Sequence, residues 1–241
     1  SYPSSIMGAF ALLKQVYYDA DWYSKGLSKT NDKSLEALNR NKKLIQIFEA
    51  KSKINSLRID KIGDEFNIQY VLLGGGDEYE RIEEIKATNA SYILPINFPD
   101  AYDIEDVYSA NILQLSDMRE WNQRPSNLSQ FEENGIQFAI TTEGLKSPNN
   151  LKTNIKKAID HGLSKSKALE ALTSIPAKLI GRDDVLGYLK KGYLANFLIT
   201  SGELFEDNLD RMIFFNKGVI ETVKKFGWAP DVVHCHGWMT S

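Results

Sequence analysis

Residues 141–200 read TTEGLKSPNNLKTNIKKAIDHGLSKSKALEALTSIPAKLIGRDDVLGYLKKGYLANFLIT. The order of residue types predicts a strand end, a helix closed by Gly162, a second helix from Ser164, and a short third turn closed by Gly181. Glycine suits both closing positions because a helix C-terminus commonly ends on a residue with positive φ. Ser164 is a natural N-cap, since its hydroxyl can accept from a backbone N–H of the first turn. Pro176 forces a new helix start, because proline lacks the N–H and the room that a helix interior requires. A Gly-punctuated β-hairpin is predicted over 187–200.

Upstream, helical periodicity covers residues 5–24, and a short helix is expected near Leu35–Leu38. Alternation then sets in. Strands are predicted at Leu44–Phe48, Ile68–Leu73, Tyr92–Phe98 and Gln137–Thr142. Helices are predicted at Ile54–Phe66, Asp77–Asn89, about 104–121 and Asn127–Asn134. Such spacing argues for βα units with parallel pairing. A full (β/α)8 barrel takes about 250 residues. The fold class expected is therefore α/β: the last four βα units of a barrel plus a hairpin over residues 1–203. Its open sheet edges would need either the missing half of the barrel or a homo-oligomer to cover them.

The arrangement resembles the C-terminal end of amidohydrolase-superfamily barrels, of the imidazolonepropionase-like kind. The residues that carry the resemblance are Gly162, Leu163, Ala168, Leu169, Thr173, Pro176, Ala177, Gly181, Gly187, Leu189, Gly192 and Ala195. It implies a small-molecule substrate and hydrolysis of a C–N bond, amide or cyclic amide, at the C-terminal ends of the strands. In such barrels histidines end the fifth and sixth strands, an aspartate ends the eighth, and these bind metal. Here the first 160 residues contain no histidine, and Glu49, the triple glycine Gly74–Gly76 and Glu143 stand at those places. The hairpin's usual Ala-Asp is Ala195-Asn196. An imidazole-rich zinc site is excluded by composition.

Glu143 and Glu49 are the candidate catalytic residues. Together with Asp77 and Glu78 they offer a carboxylate cluster for a hard divalent metal, or an acid/base pair without one. The competing reading ties Glu49 and Glu143 to Lys51 or Lys146. It also treats Asp77 and Glu78 as an acidic first turn complementing the helix dipole. Gly74–Gly76 lacks the spacing of a phosphate-binding loop and reads as a tight turn. His161 reads as a structural group at a helix end. A non-catalytic barrel relative is a further alternative.

The last 37 residues, FEDNLDRMIFFNKGVIETVKKFGWAPDVVHCHGWMTS from Phe205, change character. An amphipathic helix (Ile213–Phe226) leads through Trp228-Ala229-Pro230 into a short strand ending at the histidines. Phe214, Phe215, Gly218, Trp228, Pro230, Asp231, His234, His236 and Trp238 resemble the N-terminal, Rossmann-like domain of bacterial glycogen and starch synthases. That resemblance implies a nucleotide-glucose donor, with His234 and His236 as substrate-binding residues. Gly237 stands where the family often has Asp. Residues 204–241 are thus expected to be a piece of a glucosyltransferase domain. The two resemblances meet near 202–209 and together imply a chimera.

Hydrophobic residues make up 42% and charged residues 25%, with a net charge of −3. This balance gives no reason to expect nucleic acid or an anionic membrane as partner. The one cysteine, Cys235, rules out an internal disulfide. No apolar run approaches the roughly 20 residues of a membrane span, and no targeting segment is legible.

Overall fold

The computed structural model describes residues 3–105, 107–196 and 204–205. The sheet has four parallel strands, β1 (Gln46–Glu49), β2 (Tyr70–Leu73), β3 (Ser91–Pro95) and β4 (Phe138–Thr141), in the order β1-β2-β3-β4. Helices α1 (Ile6–Ser24) and α2 (Lys33–Asn41) precede the sheet. Between strands lie α3 (Lys53–Phe66), α4 (Ile82–Ala87), α5 (Val107–Ile112), α6 (Leu115–Gln123) and α7 (Asn127–Glu133). After β4 come α8 (Asn150–Asp160), α9 (Lys165–Leu172) and α10 (Ser174–Leu179). The chain is therefore α/β with parallel pairing, as its alternation predicts. No helix among the described residues is long and apolar enough to cross a membrane.

Parallel strands covered on both faces read as continuous apolar runs, and Tyr70-Val71-Leu72 is buried throughout. Alternate residues face opposite ways. Tyr70, Leu72, Tyr92, Leu94 and Phe138 enter the main core beneath the helices, with Ile59 and Ile62 of α3 and Leu128 and Phe131 of α7. Phe131 holds the centre edge-on, with ring centroids 5.1 Å from Tyr92 and 5.8 Å from Phe138. Val71 and Ala139 face the other side, where Ile175 and Leu179 of α10 cover them. Phe205, 7% exposed, returns to the main core, so the sheet's packing reaches that residue.

The predicted helix ends hold. The Ser164 hydroxyl accepts from the Lys167 N–H at 3.1 Å, and Gly162 and Gly181 adopt φ +103° and +67°. Pro176 is the third residue of α10, where its missing N–H would have no intrahelical partner anyway. Three expectations need correction. The helix predicted over 77–89 is a 3-10 turn, Glu78–Arg81, followed by α4. Strand β1 starts at Gln46 rather than Leu44, because the Leu44 N–H closes a turn onto the Asn41 carbonyl at 2.9 Å. The predicted hairpin forms no strand over 187–196. Tyr193 N–H turns back to the Lys190 carbonyl and Leu194 N–H to Val185. Residues 197–200 of that prediction lie outside the described residues.

Candidate functional site

The C-terminal ends of the strands carry two carboxylate arrangements built from adjacent loops. The first centres on Lys51. Its backbone sits at φ +56°, a conformation that costs a non-glycine residue energy, and its N–H and that of Ala50 both donate to the Leu73 carbonyl. This turn carries the Lys51 ammonium between two acids. It pairs with Glu49 at the end of β1 and lies 3.5 Å from Glu143 Oε1, just beyond β4. Glu49, and less strongly Glu143, raise the Lys51 ammonium above its ordinary range. The two predicted catalytic acids are thus brought together across the full width of the sheet, through one lysine. All three side chains are about half exposed, at 55%, 62% and 48% for Glu49, Lys51 and Glu143. Lys146, the other predicted partner, pairs with Asp100 instead.

The second arrangement is the triple glycine with Glu78. Glu78 is fully buried. Its carboxylate accepts from the N–H groups of Gly75 (2.6 Å) and Gly76 (3.0 Å) and from the Asn127 amide (2.9 Å). Asn127 in turn accepts from the Tyr79 N–H at 2.8 Å. Burial pushes the Glu78 carboxyl above the usual carboxylate range, against the pull of these donors. Each glycine is required for its own reason. A Cβ on Gly74 would stand 2.5 Å from Glu78 Oε1, and one on Gly75 would stand 2.3 Å from the Lys51 carbonyl oxygen. Gly76 has φ +88° and faces the Arg124 guanidinium, which Glu120 holds at 2.7 Å. The loop's outward N–H groups, which a phosphate would need, are filled by the chain's own acid.

These positions correct the sequence reading twice. The four carboxylates do not form one cluster. Asp77 accepts from the Lys53 N–H at 2.8 Å and pairs with its ammonium, while Glu78 turns inward. Nor is Glu78 chiefly an acid of a first turn complementing a helix dipole, because it is buried and anchors the loop through Gly75, Gly76 and Asn127. Its signal was available: an acid two residues after a Gly-Gly-Gly turn is close enough to fold back onto that turn's N–H groups. Among the described residues no three His, Cys, Asp or Glu side chains are placed to hold a metal ion. The donor set does not fit the divalent metal expected of the carboxylates, since a cation between Glu49 and Glu143 would have to displace the Lys51 ammonium. His161 Nδ1 lies 2.7 Å from the Lys157 carbonyl at the end of α8, a structural contact. His234 and His236 lie outside the described residues.

With this geometry in place, comparison with known proteins gives two unrelated likenesses. Residues 166–241 match a family model described as the starch synthase catalytic domain. The glycogen synthase of Chlorobium phaeobacteroides is 44% identical over 57 residues, 22% of this chain and 12% of that protein. That of Geotalea uraniireducens is 36% identical over 91 residues, 34% of this chain and 19% of that protein. By structure, the chain is similar to an amidohydrolase from Thermotoga maritima MSB8, with TM-score 0.67 and 17% identity over 85% of this chain and 53% of that one. At that identity the likeness shows the fold alone. The chain spans a small part of the glycogen synthases and about half of the amidohydrolase. The family match starts inside α9, whose Ala168 and Ala171 are buried in the main core. A synthase-like segment and an amidohydrolase-like fold therefore meet in one chain, as the two sequence resemblances imply.

Proposed function

We propose that residues 1–203 are the last four βα units of an amidohydrolase-like (β/α)8 barrel, and that Glu49, Lys51 and Glu143 form its site for hydrolysing a C–N bond in a small amide or cyclic amide. The observation that supports this reading is the meeting of the two acids on Lys51 at the strand ends, the face where such barrels place chemistry. Glu143 takes a proton from water as the water oxygen attacks the carbonyl carbon. The Lys51 ammonium, kept protonated by Glu49, faces the oxygen on which negative charge develops. Collapse of the tetrahedral species breaks the C–N bond, and the Glu143 proton passes to the departing nitrogen. The test is amine or ammonia release from a panel of amides and cyclic amides. Glu143→Gln should lower the rate on the order of 100-fold; an unchanged rate defeats the assignment.

A second reading rests on the synthase match over residues 166–241. In it, the C-terminal segment binds a nucleotide-glucose donor through His234 and His236. Calorimetric binding of ADP-glucose, abolished by His236→Ala and untouched by Glu143→Gln, supports it. Absence of binding removes it.

A further inference from the structure

One polar side chain beside the Lys51 cluster has no part in the chemistry described so far. Lys51 follows β1 and Glu143 follows β4, so in the order β1-β2-β3-β4 their pairing spans the ends of β2 and β3. β2 runs into Gly74, Gly75 and Gly76, which bring no side chain there. β3 ends at Pro95, and Asn97 follows it. Leu94 and Ile96 enter the main core while Ile93 packs on the opposite face. Alternation past Ile96 turns Asn97 to the Ile93 side. The Asn154 amide of α8 donates to the Ile96 carbonyl at 2.7 Å and so fixes the backbone from which Asn97 projects.

Gly144 receives this side chain. It has φ +76°, and a Cβ there would stand 2.3 Å from the Asn97 amide nitrogen and 3.1 Å from the carboxamide carbon. The glycine therefore lets the carboxamide lie directly against the backbone that carries Glu143. Asn97 is only partly buried, and among the described residues its carboxamide has no hydrogen-bond partner. Asn127, by contrast, spends its amide on Glu78 and the Tyr79 N–H. A carboxamide presents a donor and an acceptor side by side. Its complement is an amide with C=O and N–H on one edge, as in primary amides and small ring amides. An open-chain secondary amide is trans and points these groups to opposite sides. With the Lys51 ammonium and the Asn97 N–H both donating to the carbonyl oxygen, Asn97 Oδ1 is left to accept from the substrate N–H.

We infer that Asn97 is a specificity-determining residue of this site, holding the substrate amide by its C=O and its N–H through paired hydrogen bonds beside Glu143. This rests on the site proposed above for Glu49, Lys51 and Glu143, and adds how the scissile group is read. NMR titration of the whole chain with δ-valerolactam and with N-methyl-δ-valerolactam tests it by binding alone. The unaltered chain should bind the lactam roughly 10-fold more tightly than its N-methyl derivative, because the methyl group removes one hydrogen bond and leaves Oδ1 unpaired. Asn97→Ala should abolish that preference, so that the two compounds bind alike. Equal binding of both by the unaltered chain overturns the inference, and that measurement needs no variant to fold. No binding of the lactam overturns it too, as does a preference that survives Asn97→Ala. Glu143→Gln should abolish hydrolysis while the preference for the N–H compound stays, so failure of the chemistry and failure of the recognition are read apart.

Discussion

Glu78 and Glu143 both stand beyond strand ends, after β2 and β4 respectively, yet the fold uses them in opposite ways. Glu78 is buried and holds two backbone N–H groups and an amide. Glu143 is half exposed and, among the described residues, its carboxylate meets a lysine that it shares with Glu49. An acid that saturates its hydrogen bonds inside the protein supports the loop and has no valence left for a substrate. An acid on a solvated lysine contributes little to stability and remains free to react. Burial, rather than residue type, separates the acid that supports the loop from the acid for which we propose chemistry.

The comparison is broken most forcefully at Gly75. Gly75→Ala puts a Cβ into the Lys51 carbonyl and should cost about 3 kcal/mol in denaturant unfolding, because backbone rather than a flexible side chain must move. A variant as stable as the parent would mean that the loop is not clamped. Glu78→Ala comes next. It leaves three donors without their acceptor and should cost about 2 kcal/mol; a neutral result would place Glu78 with the exposed acids.

Asp60 on α3 gives an intermediate point. Burial, with help from Asp64, raises its carboxyl from 3.8 to about 6. The folded state therefore holds this proton more tightly than the unfolded chain, and its contribution to stability falls as pH rises from 3.8 to about 6. Asp60→Asn should raise Tm at pH 7 and leave it unchanged below pH 3.8. A parallel offset at both pH values would show that the carboxyl is not shifted. The smallest thermal effect is expected of Glu143→Gln, with Tm unchanged while hydrolysis is lost. A marked fall in Tm would make Glu143 a second support residue.

Much of the fold was legible because its signals are local. Ser164, Gly162 and Gly181 mark helix ends through hydrogen bonds and φ angles spanning a few residues, and the apolar runs of β2 and β3 announce parallel strands directly. The misreadings have separate causes. Asp77 begins no regular helix because its side chain is drawn across to the Lys53 N–H, 24 residues earlier. Leu44 and Ile45 have strand composition, but a turn onto Asn41 claims the first of them. At the site, the convergence of Glu49 and Glu143 could be anticipated from their place at strand ends. The fold of Glu78 onto the Gly75 and Gly76 N–H groups is a local signal, whereas the Asn127 amide that completes its hydrogen bonding lies 49 residues away in sequence, where no local pattern reports it.

The strand order has a consequence for synthesis. Because the sheet runs β1-β2-β3-β4 in the order of the chain, each strand can pair as it leaves the ribosome, with no strand waiting for one made later. Every intermediate then presents one growing edge until the next βα unit covers it, and such edges are where aggregation starts. Phe205 is the last of the described core residues to be synthesised, after all four strands. A nascent chain halted before it should carry the whole sheet and still lack one residue of its core.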